Sequence, residues 1–546
     1  MRNIDDMNPL PEKSSNPSLK KMMNRTETVV SFFAAGLLSL ILFYIITGGL
    51  GEVVNGMLIV DTDYPNAAAA FQVFMTDIWR FPFGSNPNWG GTNILFSDPS
   101  TAYALVAKIV RTMTGLSAGF NYLIVINFLL FGIFALRLAR QLTDEPVTQW
   151  LIVILLSFNL IMPSRIIGGQ HIALGSYWVI LWAMTSVGVS AEYRKLGFYE
   201  PFFCIVLALL SHSYLGAMAI VIVMVQLIFQ KKYVSALILP IIPLVVLGLL
   251  GFFNYDYGMS YVAKAYGLNM AAYFYSLNWA STGDWYKLEN TAQEDIYLYL
   301  GSGVMLLLAA IIIRKIVEIF QGTNERFGQD RQTRQFLRAL LTAALLLALY
   351  ATAFEFKIAS FNLESLEIPG LIEPLYHRFR IAGRFGTVLC YLLIVVIVLS
   401  WSKRKNRSKL WWMISIAAVF LQISDAVHAS KYATHRSMVM IQDKNFQLKA
   451  VSSVLDGTQW SGRVVKKVKF EDLESQRLLD YLLLQHGAKE FSVVHSARAE
   501  PQKVVEMMNK SKFSTRDLLV TRTPDVNDVL CERIAHIKDF QLCLIK

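Results

Sequence analysis

Asp61 and Asp63 stand two residues apart in a short polar stretch, Val60-Asp61-Thr62-Asp63-Tyr64-Pro65, that follows an apolar run and opens a long loop. A carboxylate at a membrane–water boundary is costly to keep, and polar groups there tend to be functional. Either acid could accept a proton from an attacking hydroxyl as a general base. The competing reading is local, because Asp beside Pro at a helix start is common capping and turn chemistry. At i, i+2 in a loop the two side chains need not face the same way, so one could be a base and the other a cap.

Basic residues form the second group. Arg165 and His171 flank the turn Arg165-Ile166-Ile167-Gly168-Gly169-Gln170-His171, and a denser cluster follows at His377-Arg378-Phe379-Arg380-Ile381-Ala382-Gly383-Arg384. A phosphate-bearing ligand would account for them, since guanidinium groups bind phosphate oxygens as a fork. Lipid headgroups, or pairing with Glu364, Glu367 and Glu373, would account for them too. On a helix start Arg380 and Arg384 share a face at i, i+4, which predicts them as the clamp and leaves Arg378 as a headgroup contact.

Acceptor contacts would come from carboxylates and rings. Candidates are Asp295 and Tyr297 in Gln293-Glu294-Asp295-Ile296-Tyr297, Trp89 in the first long loop, and His212, which interrupts an apolar run. Each has a plain alternative: acids favour a helix N-terminus, rings gather in interfacial belts, and a lone His often just ends a helix. No phosphate-binding G-x-x-x-x-G-K-[ST], no G-x-G-x-x-G after a strand and no zinc-ligand spacing occurs. No cofactor is indicated, and a divalent-metal requirement stays open.

These residues must be positioned by membrane helices. The chain has 546 residues, 54% of them hydrophobic, with a mean hydropathy of +0.42. Apolar runs of about 20 residues, long enough to cross a bilayer, recur along it. The reading places spans near 29–49, 119–140, 147–163, 172–190, 200–213, 214–231, 233–253, 296–315, 336–355, 386–401 and 410–428. Breaking the run at Ser211-His212-Ser213-Tyr214 puts the basic turns Arg137–Arg140, Arg194-Lys195, Lys231-Lys232, Arg314-Lys315 and Lys403–Lys409 on the side of the N-terminus. That side is then cytoplasmic by the positive-inside rule. The net charge of +11 therefore reads as topology and not as nucleic-acid binding. The first span, after a leader with Lys20, Lys21 and Arg25, reads as an uncleaved anchor.

The long loops, roughly 50–118, 254–295 and 355–385, fall outside. In the first, Ala67–Trp79 and Ala102–Met113 read as interfacial helices around a turn-rich Phe81-Pro82-Phe83-Gly84 to Gly91 segment. After Asp425 the composition turns polar. Alternating runs at Arg463–Phe470, Phe491–Val494 and Leu518–Thr521, with a helix at Glu471–Leu484, predict an α/β domain. Of the four cysteines, Cys204 and Cys390 fall in spans, and Cys531 and Cys543 could pair in an oxidising compartment. The expected fold is mainly α: a polytopic transmembrane helical bundle of about eleven spans, with amphipathic helices in its first outer loop and a small C-terminal α/β domain. Residues 1–28 form a cytoplasmic leader, 29–428 the membrane domain and 429–546 the outer domain.

Several short motifs occur in a fixed order: Asp61-Thr62-Asp63-Tyr64-Pro65, Phe81-Pro82-Phe83-Gly84, Phe96-Ser97-Asp98, Gly169-Gln170-His171 with Trp178, Tyr266-Gly267 with Asn269, Tyr299-Leu300-Gly301, Gly383-Arg384-Phe385, and Gln422 with Asp425. Over about residues 30–428 this set resembles a bacterial family of polytopic proteins related to the C-type glycosyltransferase (GT-C) superfamily. The resemblance implies a periplasm-facing enzyme of the bacterial inner membrane that moves a sugar from a polyprenyl-phosphate donor to a surface glycan such as O-antigen, with inversion. It implies Asp61 or Asp63 as the base. Arg378, Arg380 and Arg384, with His377, Arg165 and His171, would meet the donor phosphate, and Asp295, Tyr297, Trp89 and His212 the acceptor. The implied partners are the lipid-linked sugar, the glycan acceptor, the bilayer, a donor-synthesising enzyme and a flippase. A lipid-linked glycan polymerase or ligase would share this chemistry. A transporter or flippase should bury ionisable groups in mid-span, and a scaffold would use its tail to hold partners.

Overall fold

The computed structural model describes residues 17–47, 64–97, 99–168, 171–188, 199–254, 266–277, 279–281, 296–320, 331–402 and 408–431, together with 464–468, 483–484, 490–491, 517–521, 531–537 and 540–545 of the tail. Six helices among these are long and apolar enough to cross a membrane: Glu27–Thr47, Tyr122–Leu142, Pro146–Ile166, Gln332–Ala351, Ala382–Trp401 and Lys409–Lys431. Shorter apolar helices run over Tyr199–Ser211, Ser213–Phe229 and Tyr233–Leu249.

Two expected spans are cut short for local reasons. Of the described residues 172–188 only Trp178–Ser186 form an α-helix, because residues 172–175 turn first. The 296–315 run becomes helical only at Ser302. Gly301 stands before it at φ +102°, and a Cβ there would lie 2.1 Å from Gln422 Nε2. Only glycine fits that backbone and that gap.

The break at His212 is observed. The helices on either side fold back on one another, so closely that a Cβ on Gly216 would lie 2.7 Å from the Leu209 Cα. Hydrogen bonds then tie the loops together at one end and the turns at the other. At the loop end, Asn159 Nδ2 donates to the Tyr299 carbonyl at 3.0 Å, Leu268 N–H to Ala351 O at 2.7 Å and Gly383 N–H to Tyr266 O at 2.9 Å. At the turn end, Gln141 Nε2 donates to Thr185 O and Gln226 Nε2 to Ala183 O, both at 3.0 Å. There too the buried Glu200 accepts from Arg137 and from Trp182 Nε1.

The first loop has its two helices, Tyr64–Thr76 and Thr101–Thr114. Thr101–Thr114 leaves Val106, Ile109, Val110 and Met113 exposed, as an interfacial helix would. Tyr64–Thr76 does not lie along the interface as expected. It is buried on nearly every face, including Ala67, Ala68, Ala69, Ala70, Phe71 and Phe74. Its run of alanines lets neighbouring chain approach from all sides. Between the helices, strands β1 (Ser85–Asn86) and β2 (Thr92–Asn93) pair antiparallel. A second hairpin, β3 (Glu355–Ile358) with β4 (Phe361–Ser365), follows the Gln332–Ala351 helix.

The tail contains a five-stranded mixed sheet of β5 (Val464–Val468), β6 (Glu490–Phe491), β7 (Asp517–Thr521), β8 (Cys531–Ile537) and β9 (Phe540–Ile545), in the order β6-β5-β7-β9-β8. The β5–β6 and β5–β7 pairs are parallel, and the β7–β9 and β8–β9 pairs antiparallel. The spacing of Cys531 and Cys543 suits a short hairpin, and β8 and β9 form one. Its register sets Cys531 opposite Ile545 and Cys543 opposite Arg533, so the two cysteines are not cross-strand partners. The expected helix at 471–484 lies outside the described residues except for its last two positions.

Candidate functional site

A cavity of about 760 Å³ opens at the loop end. Its walls are Leu209 and Leu210 of the Tyr199–Ser211 helix, Ala217 and Val221 beyond the His212 break, Pro243 and Leu247, Leu346 and Tyr350, and Leu375 and Phe379. This is a mostly apolar pocket with few polar groups, the usual make-up of a small-molecule or lipid site. Arg378 and His212 line it as well.

The polar groups have local causes. His212 adopts an extended backbone, φ −164°, and its Nδ1 accepts from Tyr214 N–H at 3.2 Å, capping the helix that starts at Ser213. The ring is thereby fixed at the cavity wall. Arg378 ends the six-residue helix Glu373–Arg378, whose N-terminus carries Glu373-Pro374. Its guanidinium carbon sits 5.9 Å from the Phe252 ring centroid, so the cation is aimed along an aromatic edge of the cavity. His377, one residue earlier, keeps its Nε2 4.0 Å from Glu373 Oε1.

The helix ends at Arg378, because Phe379 takes φ −116° and ψ 64°. Arg380 therefore lies off the helix and is exposed. Arg384 belongs to the separate 3-10 turn Ala382–Gly386, is buried, and stacks its guanidinium 5.4 Å from the Tyr214 ring centroid. The shared helical face expected for Arg380 and Arg384 does not exist. The break at Phe379 and Ile381 sends one side chain to the surface and the other inward. Tyr214 links the pieces: its hydroxyl accepts from Ile381 N–H at 2.9 Å, and its ring lies 5.1 Å from Phe379 and 5.6 Å from Phe385. Tyr214 was not singled out as a site residue; its place beside the His212 break was the available signal.

Arg165, His171 and Tyr297 form another group. Arg165 is buried in the π-helical turn Ser164–Gly168, and its Nη2 donates to the Tyr297 carbonyl at 3.5 Å. His171 N–H donates to Arg165 O at 2.9 Å. The arginine thus ties one loop to the Ile296–Gly301 segment. The Tyr297 ring is buried 6.1 Å from Trp279, and Trp89 is buried at the tip of the β1–β2 hairpin. Neither ring presents an open face for sugar stacking.

Asp61, Asp63 and Asp295 lie outside the described residues. The first-loop helix begins at Tyr64, next in sequence to Asp63, with its ring stacked on Phe120 at 5.9 Å and its hydroxyl bonded to Asn121 Oδ1. At the far end of that helix a cation passed over in the sequence emerges. Lys108 Nζ sits 4.1 Å from the Phe74 ring centroid and 4.9 Å from that of Trp79, and donates to Ile78 O at 3.3 Å. Burial pushes its pKa down to about 8, with Arg80 and Arg111 adding to the effect and Asp77 opposing it. Arg111 Nη1 donates to Met75 O at 2.8 Å. Cations at a helix C-terminus complement its dipole, so this pair is structural.

Among the described residues no three His, Cys, Asp or Glu side chains converge as a metal site. In the sequence, the cavity walls from Leu209 to Leu247, His212 apart, and from Leu346 to Tyr350 read as span residues. Pro240 and Pro243 in a short interrupted apolar segment were the signal, since broken segments often line binding sites.

No curated protein matches the sequence. Among solved structures, the Archaeoglobus fulgidus oligosaccharyltransferase, tethered with an acceptor peptide containing an NVT sequon, aligns at 13% identity over 92% of this chain and 69% of that chain. Its TM-score is 0.39, a likeness too loose to carry an argument about fold or activity. Residues 34–427, most of the chain and nearly all of its helical part, match the family described as Domain of unknown function (DUF6311), and the protein belongs to that family.

Proposed function

We propose that this protein is an integral membrane glycosyltransferase that takes a sugar from a polyprenyl-phosphate donor and passes it to a surface glycan, such as O-antigen, on the periplasmic face of a bacterial inner membrane. The observation that carries the reading is the cavity, where about 760 Å³ of apolar space is fringed by the cationic Arg378 and by His212. A polyprenyl chain needs the first feature and a phosphate head the second. Each buried methylene of the lipid contributes roughly 0.8 kcal/mol, and a guanidinium adds a charge-assisted fork to the phosphate.

The reaction then follows from charge. The acceptor hydroxyl gives its proton to Asp61 or Asp63 as its oxygen bonds to the anomeric carbon. The bond from that carbon to the phosphate oxygen breaks on the opposite face, so the centre inverts. Negative charge grows on the departing polyprenyl phosphate, which Arg378 meets. A positioned base accounts for roughly 10²–10⁴-fold of the rate. Arg165, holding the turn before His171 against the Tyr297 segment, shapes the loop facing the acceptor.

The test is transfer from a polyprenyl-phosphate sugar by the purified protein in nanodiscs. Transfer that vanishes in Asp61→Asn or Asp63→Asn supports the reading. Donor binding without transfer, together with donor movement between leaflets of proteoliposomes, would replace it by a flippase. Successive addition of units to a lipid-linked glycan would make it a polymerase.

A further inference from the structure

The β3–β4 hairpin is amphipathic, and its apolar side is bare. Phe361 and Leu363 alternate along β4 with Asn362 and Glu364, so the two pairs take opposite faces. Across the ladder Ile358 lies opposite Phe361 and Lys357 opposite Asn362, and beyond a bulge the half-buried Phe356 lies opposite Glu364. On the apolar face Ile358 is 47% exposed, Phe361 71% and Leu363 65%. The chain continues through Leu366 to Leu371, 93% exposed, and Leu375.

This is not a loose excursion. Asn269 grips the hairpin turn with both side-chain atoms: Nδ2 donates to Ala359 O at 2.8 Å and Oδ1 accepts from Ala359 N–H at 2.9 Å. Ala353, Phe354 and Ala359 all hold left-handed backbone, φ 50°, 59° and 54°. Non-glycine residues adopt it only where surrounding contacts impose it. The hairpin is aimed outward and fixed there.

What covers the face is indicated by continuity. The hairpin begins four residues after the Gln332–Ala351 helix, whose Leu341, Leu345, Leu346 and Leu349 are exposed as a lipid-facing flank. Leu346 and Leu375, which flank the hairpin in sequence, also line the cavity. We propose that the β3–β4 hairpin and the 366–375 segment rest on the bilayer, with Ile358, Phe361, Leu363 and Leu371 at the acyl boundary and Lys357, Asn362 and Glu364 toward water, so that the cavity mouth opens to lipid rather than to solvent. The consequence for loading rests on the lipid reading of the cavity; the bilayer contact itself does not.

Depth can be measured without any transfer assay. Single cysteines at Phe361, Leu363, Leu371 and Asn362, in a background lacking the native ones, are labelled with bimane in phosphatidylglycerol–phosphatidylethanolamine nanodiscs. Nitroxide lipids should quench positions 361, 363 and 371 several-fold more than 362, and iodide should do the reverse. Equal iodide quenching at all four positions overturns the proposal. So does protection of 361 and 363 from both quenchers, which would mean a protein partner or a second copy. If the cysteine-free background does not fold, the unmodified protein is irradiated with a diazirine phospholipid. Adducts within 358–371 are expected, and their absence while the Gln332–Ala351 helix is labelled overturns the proposal as well.

Discussion

The Asp425 carboxylate accepts from Ser302 N–H at 2.7 Å and from Ser302 Oγ at 2.9 Å, so a residue near the end of one membrane helix caps the start of another 123 positions away in sequence. The same carboxylate takes Ser281 N–H at 3.2 Å and Ser281 Oγ at 3.1 Å. One buried acid therefore holds both the loop segment at Ser281 and the helix that follows that loop.

Asp425→Ala should destabilise the protein by about 3 kcal/mol, the scale for stranding buried donors that bonded a charged acceptor. Asp425→Asn keeps one acceptor oxygen and should lose less. Thermal unfolding in detergent, followed by tryptophan fluorescence, checks the order. Equal transitions for all three proteins would show that the clamp does not matter.

The three arginines should separate by position. Arg378→Ala should cut transfer by roughly 10–100-fold, since a charge-assisted hydrogen bond contributes about 1.5–3 kcal/mol. Arg378→Lys should recover only part of it, lacking the fork. Arg380→Ala should be nearly silent, because Arg380 lies off the helix and does not line the cavity. Arg384→Ala should lower the unfolding temperature, because its guanidinium packs on Tyr214. Transfer rates and melting curves on the same preparations decide the matter, and greater loss of transfer in Arg380→Ala than in Arg378→Ala would contradict the geometry.

Filling the cavity should mimic an occupant. Leu247→Trp adds bulk from a wall residue of the short helix Ile241–Leu249. Protein yield and melting should hold, while the donor requirement rises several-fold. Unchanged donor dependence would place the lipid elsewhere.

Lys108 gives a pH signature. Its folded pKa, about 8, lies below the ordinary 10.5, so the unfolded chain holds the proton more tightly between those values. The penalty of burying the charge is complete below pH 8 and is relieved as pH rises toward 10.5. The melting temperature of the protein relative to Lys108→Met should therefore climb from pH 8 to 10. A flat difference would mean that the Phe74 and Trp79 rings and the Ile78 carbonyl compensate the burial fully.

Sequence alone determined what depends on near neighbours. Apolar runs marked the long membrane helices, His212 marked the reversal between Ser211 and Ser213, and Ala102–Met113 marked a helix with an exposed apolar side, because composition and periodicity are local. Tertiary structure decided what depends on distant groups. The helix starts only after Gly301 although the apolar run begins earlier, because Gln422 fills the space beside Gly301 and Asp425 caps Ser302. Arg378 reaches the cavity and Arg380 does not, because the backbone breaks at Phe379, a turn that i, i+4 spacing cannot foresee. The cavity joins four helices that each read as plain membrane span to the Glu373–Arg378 helix of an outer loop, with wall residues running from Leu209 to Phe379. Its shape is a property of how they pack.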